Sequence, residues 1–186
     1  MYGITLLTTE RRERDLEHLA GLDALTGVLN RRLFERRAVG EIAAAERHGR
    51  PLCLLLLDID RLDAINDRHG RAAGDQVLRR LAGVGHAHLR VSDAFGRFDD
   101  DEFAVLLVDT GVGAAQLVAE RMRAAFAAAP AHPAPATLSV GLARLAPDMH
   151  DLATLMRAAE AALYAAKTAG RNQVAWAEDP PRIVPA

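Results

Sequence analysis

The chain of 186 residues is half apolar and carries 25 acidic against 23 basic residues, for a formal charge of -2. That length and apolar fraction support one sizeable core without requiring a second domain. The near balance of charge leaves no basic excess for nucleic acid and no acidic tail for metal buffering. A single cysteine, Cys53, excludes an internal disulfide, and its place in an apolar run reads as a small core residue rather than a nucleophile or metal ligand. The longest apolar runs, such as Leu52 to Leu57, are too short to span a bilayer, and Met1 to Thr9 lacks the marks of a secretory signal. The expectation is a soluble, cytoplasmic chain with no membrane or nucleic-acid partner.

In chain order, residues 9–22 are charged and helix-favouring, with Leu16, Leu19 and Leu22 at spacings of three. Two readings stand for this lead-in: a helix packing locally, or a signalling helix cut from a longer protein. A helix over Arg31 to His48 stops at Gly49-Arg50-Pro51. The continuous apolar run Leu52 to Leu57 follows and predicts a buried central strand ending in Asp58-Ile59-Asp60. A second helix is expected to begin around Gly74-Asp75, with Val77, Leu78, Leu81 and Val84 on its stripe. Ala94 to Phe98 and Phe103 to Val108 read as a hairpin around an Asp-rich turn. Helical spacing returns over Ala114 to Ala128, the stretch Pro130 to Pro135 breaks it, and Thr137 to Leu142 reads as a strand. A last helix over Leu152 to Ala169 stops at Gly170, before a short strand from Gln173 to Trp176. Strands alternating with helices, plus one hairpin, predict an α/β chain whose mixed sheet has helices packed on it. Its parts divide as a helical lead-in over 1–22, a folded domain over 23–177 and a disordered tail over 178–186.

Asp58 and Asp60 fall where the buried strand emerges, the usual place for ligand sites in open α/β sheets. Acids at a strand end also serve as plain turn residues. The metal reading gains from Asp101 and Glu102, which can approach Asp58 from a neighbouring strand. Hard oxygen ligands completed by a substrate's phosphates are how proteins usually hold Mg²⁺.

Several blocks occur in a recognisable order: Asp23-Ala24-Leu25-Thr26-Gly27 with Asn30-Arg31-Arg32; Leu57-Asp58-Ile59-Asp60 with Ile65-Asn66-Asp67 and Gly74-Asp75; and Arg90-Val91-Ser92-Asp93. Arg97 to Phe103, Thr137 to Gly141 and Ala162 to Asn172 complete them. Together they resemble the GGDEF family, whose active members make cyclic di-GMP from two GTP molecules. The resemblance covers Asp23 to about Trp176 and implies a central, mostly antiparallel sheet wrapped by helices, similar to nucleotide cyclase and polymerase palm domains. It further implies that Asp58 and Asp101 hold Mg²⁺ with help from the Ile59 carbonyl, and that Glu102 lies beside them as a catalytic acid. Paired metals stabilise charge on the attacking and leaving oxygens of such a displacement. Asn66 and Asp75 match the guanine-reading residues, and a carboxylate suits the N1 and N2 donors of guanine. Lys167 and Arg171 match phosphate-contacting positions, although cations at a helix end also occur for electrostatic reasons alone. Arg90 and Asp93 match the product-binding inhibitory R-x-x-D, with Arg121 as a third member; outside the family, Arg and Asp at this spacing form an ordinary surface ion pair.

Three positions depart from the pattern of an active cyclase: Asp99 and Asp100 stand where the signature has glycines, and Asp63 where a lysine is expected. Asp suits turns, so the hairpin survives. Glycine, however, gives a substrate space that a side chain removes, and two carboxylates there face a polyanion. Like charges about 4 Å apart near a surface repel by roughly 4 kcal/mol, and each ~1.4 kcal/mol is tenfold in binding or rate. The leading expectation is a degenerate domain, with cyclase activity absent or weak, that binds cyclic di-GMP or GTP and regulates its partners. The alternatives are an active cyclase working as a homodimer and a ligand-free dimerisation module.

Overall fold

The computed structural model describes residues 21–130 and 133–177. The lead-in up to residue 20 and the tail from 178 lie outside the described residues. The elements in chain order are β1 (Leu29–Asn30), α1 (Arg31–His48), β2 (Leu52–Ile59), α2 (Leu62–His69), α3 (Arg71–His88), β3 (Ala94–Arg97) and β4 (Glu102–Val108). Then come α4 (Val112–Ala128), β5 (Leu138–Arg144), α5 (Leu152–Thr168) and β6 (Val174–Trp176).

The six strands form one sheet in the order β1-β3-β4-β2-β5-β6. β2 pairs antiparallel with both β4 and β5, and β3 pairs antiparallel with β4, while the short outer strands β1 and β6 run parallel to their neighbours. The sheet is thus mostly antiparallel and helices cover both faces, as expected. Every residue of β2 is buried, which explains why it reads as a run rather than an alternation. Cys53, Leu55, Leu57 and Ile59 pack on the side of α2, α3 and α4. Leu52, Leu54 and Leu56 pack toward α1 and α5 on the other. Burial pushes the Cys53 thiol up to about 11, as fits an inert core residue.

Local signals set the helix ends. The Asn30 side chain accepts from the Leu33 N–H at 3.0 Å to start α1, and Gly49 closes it in the left-handed region at φ 61°. Asp151 accepts from the Thr154 N–H at 2.7 Å to start α5. α5 lies so close to β5 that a Cβ at Gly141 would collide with the backbone at Ala159 and Leu163.

Two elements differ from the sequence expectation. α2 was not anticipated, and α3 begins at Arg71 rather than around Gly74. The punctuating glycine is Gly70, at φ 84° between the two helices. Gly74 lies inside α3 for a packing reason, because a Cβ there would collide with the Asn66 side chain. α2 carries only two buried residues, Leu62 and Ile65, too short a stripe to stand out as a helical period.

Candidate functional site

The register of the sheet assembles the acidic centre. Asp58, at the end of β2, lies opposite Glu102 of β4 and Ser139 of β5. The Ile59 N–H donates to the Asp101 carbonyl at 3.2 Å, so the turn before β4 is tied to the end of β2. Lys167, near the end of α5, reaches across and donates from Nζ to Asp58 Oδ2 at 2.6 Å. It is the only lysine in the chain.

Asp58 and Asp60 leave the strand together but do different work. Asp60 accepts from the Thr137 hydroxyl at 2.6 Å, the Ser139 hydroxyl at 2.6 Å and the Asn172 N–H at 3.0 Å. Both of its oxygens are therefore occupied in holding the Gly170-Arg171-Asn172 turn against β5. Asp58 has one oxygen on Lys167. Burial raises its carboxyl above the ordinary range, Lys167 opposes that shift, and Asp101 and Asp60 add to it. Glu102 is also raised, first by burial and then by the negative charges of Asp58, Glu160 and Asp101, against a lowering by Lys167.

Asn66 and Asp75 come together from α2 and α3. They line a pocket of about 210 Å³ with Leu62, Leu78, Arg71 and Asp100. Asn66 Oδ1 is buried against Gly74 of α3 with no hydrogen-bond partner.

Asp99 and Asp100 are exposed, and neither adopts a left-handed backbone. The turn is instead held by Arg97, which sequence reasoning passed over. Its guanidinium donates to the Asp99 carbonyl at 3.2 Å and the Asp100 carbonyl at 2.8 Å, and pairs with Asp23 at 3.2 Å. Asp23 in turn accepts from the Thr26 N–H and hydroxyl, at 2.9 and 2.6 Å. Burial pushes its carboxyl upward, but the bonds from Thr26 and the Arg97 charge together hold it below the usual range. The opening block and the signature turn are thus one unit joined through Arg97. Asp63 is exposed in the first turn of α2, where a carboxylate suits the helix dipole.

Arg90, Asp93 and Arg121 line a second pocket, of about 260 Å³, together with His88, Thr110 and Leu117. Arg90 and Asp93 do not form the side-chain ion pair open to this spacing. Asp93 accepts from the backbone N–H of Arg90 at 2.9 Å and of Val108 at 3.3 Å. It shapes the turn and leaves the guanidinium of Arg90 to the pocket.

Residues 20–173 match the family model described as diguanylate cyclase, GGDEF domain. The chain belongs to the GGDEF family. It is 40% identical over 164 residues to diguanylate cyclase DgcP of Pseudomonas aeruginosa, covering 86% of this chain and 24% of that protein. It is 37% identical over 177 residues to diguanylate cyclase DosC of Escherichia coli, covering 92% of this chain and 38% of that protein. The chain therefore spans well under half the length of these curated relatives. Among solved structures it resembles the GGDEF domain of DgcB from Caulobacter crescentus, determined in complex with c-di-GMP, with TM-score 0.81 and 31% identity. That match covers 86% of this chain and 94% of the other. The active GGEEF domain of a diguanylate cyclase from Vibrio cholerae matches with TM-score 0.78 and 33% identity over 81% of this chain and 98% of that one.

In this GGDEF domain the residues singled out from sequence, Arg171 excepted, fall into three places. Asp58, Ile59, Asp101, Glu102 and Lys167 form the acidic centre, Asn66 and Asp75 the pocket between α2 and α3, and Arg90, Asp93 and Arg121 the pocket by α4. Arg171 does not join Lys167. It lines a separate cavity beside Asp60. The anchors of Asp60 were present in the Thr137-Leu138-Ser139 block, but pairing them with Asp60 needed the register of β2 with β5. No helix among the described residues is long and apolar enough to cross a membrane.

Proposed function

We propose that this GGDEF domain has little or no cyclase activity and acts in cyclic di-GMP signalling as a guanine-nucleotide binding regulatory domain, with cyclic di-GMP its principal ligand. One observation carries the reading. Asp100, where the family signature has glycine, lines the same pocket as Asn66 and Asp75, whereas Arg90, Asp93 and Arg121 line a pocket of their own. A carboxylate on that wall disfavours a triphosphate nucleotide through like charge. Arg90 and Arg121, by contrast, offer guanidinium donors to phosphate or to the N7 and O6 edge of guanine.

Mg²⁺ fits the acidic centre. No group of three or more His, Cys, Asp or Glu among the described residues is arranged to hold a metal by itself. Two carboxylates completed by substrate phosphates are nonetheless a usual Mg²⁺ set. Asp58 and Asp101 would hold it with the Ile59 carbonyl, and the ion would supply positive charge to phosphate oxygens. Asp58, Glu102 and Asp101 repel one another, and Lys167 supplies the cation that balances them.

A second reading, an active cyclase acting as a homodimer through the lead-in helix or the ligand, draws support from the intact Asp58, Asp101 and Lys167 centre and from the unstrained backbone of the turn. Incubation with GTP and Mg²⁺ followed by product analysis separates the two. Appreciable cyclic di-GMP overturns the first reading. Calorimetric titration with cyclic di-GMP, repeated on Arg90→Ala, tests the receptor role: saturable binding lost in the variant supports it, and no binding by the parent protein removes it.

A further inference from the structure

The turn that carries Arg90 is closed at its two ends by its own atoms. The Asp93 N–H donates to the Arg90 carbonyl at 3.1 Å, and the Asp93 carboxylate accepts from the Arg90 N–H at 2.9 Å. The two residues between these ends have no packing to hold them. Val91 is 98% exposed, and Ser92 is exposed as well. The central peptide of a four-residue turn takes opposite orientations in different turn types, so its direction here depends on what engages its carbonyl.

Arg37 engages it from α1. Its Nη2 donates to the Val91 carbonyl at 3.0 Å and to the Ser92 carbonyl at 2.8 Å, across 54 and 55 residues of sequence. Packing sets that reach. Arg37 follows Phe34 by about one helical turn, and Phe34 lies so close to β3 that a Cβ at Gly96 would come within 2.8 Å of it. α1 is thereby seated on the strand into which the turn leads. Arg37 also lines, with Val91, Arg90 and Asp93, a recess of about 270 Å³ that shares Arg90 and Asp93 with the Arg121 pocket.

An arginine that covers loop carbonyls often contributes stability and nothing more. Here the loop is the one that aims Arg90. No carboxylate among the described residues pairs with the Arg90 guanidinium, which takes its direction from the backbone beneath it.

We propose that Arg37 is a positioning residue for the Arg90, Asp93 and Arg121 pocket: it fixes the Val91 and Ser92 carbonyls and so holds Arg90 in the orientation that meets the ligand. The inference rests on the reading of that pocket as the cyclic di-GMP site. Arg37 does not line the pocket itself, so it acts through the turn. A turn ordered in advance spares the ligand the cost of ordering it on binding.

Calorimetric titration of the full chain with cyclic di-GMP tests this, with hydrogen exchange across residues 91–94 of the ligand-free protein as the local readout. Arg37→Ala should weaken binding by about tenfold, the order set by two net hydrogen bonds, and should speed exchange at the turn. Arg37→Lys, which keeps the charge and part of the donor set, should fall between parent and alanine variant in both measurements. Arg36→Ala removes an exposed charge from the same helix and should leave affinity unchanged. The loss in Arg37→Ala should persist at about 0.5 M NaCl, where a long-range charge effect is screened. Circular dichroism checks that each variant is folded. Parent-like affinity in Arg37→Ala overturns the inference while leaving the receptor reading intact, whereas no binding by the parent protein removes both. An equal loss in Arg36→Ala, disappearance of the effect at high salt, or unchanged exchange at the turn would each assign the effect to charge and overturn the positioning role.

Discussion

The lone lysine of the chain, Lys167, donates to Asp58 Oδ2 at 2.6 Å across 109 residues of sequence. The Asp58 side chain is 11% exposed and that of Lys167 34% exposed, so the pair is partly desolvated and more than a surface contact. Removing Lys167 leaves a carboxylate among other carboxylates. Lys167→Met should therefore destabilise the fold at pH 7 by about 1–3 kcal/mol, measured by urea denaturation. Asp58→Asn in the same background should return most of that loss. Additive effects of the two changes would show that the pair contributes no coupling.

Glu102 yields a prediction about pH. Its folded carboxyl is raised, chiefly by burial and then by Asp58. An acid raised on folding contributes stability in acid that is lost as pH rises through its folded value. Glu102→Gln should thus be more stable than the parent protein at pH 7, by a few degrees in Tm on the order set by domain size. The advantage should vanish near pH 4, where the parent carboxyl is protonated. A pH-independent difference would assign the effect to packing instead of charge.

Arg97 fastens the signature turn to the opening block through one pair and two carbonyls. Arg97→Ala should cost about 2–4 kcal/mol. Arg97→Lys should recover little, because an ammonium lacks the planar fork that reaches Asp23 and both carbonyls together. Hydrogen exchange across residues 98–102 provides the local readout: faster exchange in both variants is expected, and unchanged rates would mean the turn holds itself.

Gly141→Ala places a methyl group against backbone atoms of α5 that cannot rotate away. A loss at the upper end of the ~1–3 kcal/mol range for overpacking is expected in chemical denaturation. Retention of full stability would mean that α5 shifts freely on β5.

The three departures Asp63, Asp99 and Asp100 can be tested together. If they suppress cyclase activity, the triple change Asp63→Lys, Asp99→Gly and Asp100→Gly should produce cyclic di-GMP from GTP and Mg²⁺ where the parent protein produces little or none. A folded triple variant with no product would move the cause elsewhere in the site.

The central strand, the hairpin and the long helices were legible because each is a strong local signal: an apolar run, an Asp-rich turn between strands, capped stripes. α2 was not, since its eight residues bury only Leu62 and Ile65. The start of α3 was misplaced because Gly74 serves the Asn66 side chain instead of ending a turn. Among the site residues, the sequence motif grouped Lys167 with Arg171, four positions apart. The backbone separates them: Arg171, at φ 64° beyond the end of α5, lines the cavity behind α2, while Lys167, still on the helix, meets Asp58.

Residue types, order and spacing by themselves determined the central strand, the hairpin and the long helices, and the ordered motif blocks pointed to the family, a resemblance that implied the mostly antiparallel sheet, because these follow from local pattern and motif. Only the tertiary structure decided which charges meet. Asp58 and Asp60 are two residues apart in the chain, yet strand register sends one to Lys167 and the other to Thr137, Ser139 and Asn172. A carboxylate's role depends on its burial and on the donors within hydrogen-bonding distance, and those are set by contacts between residues far apart in sequence.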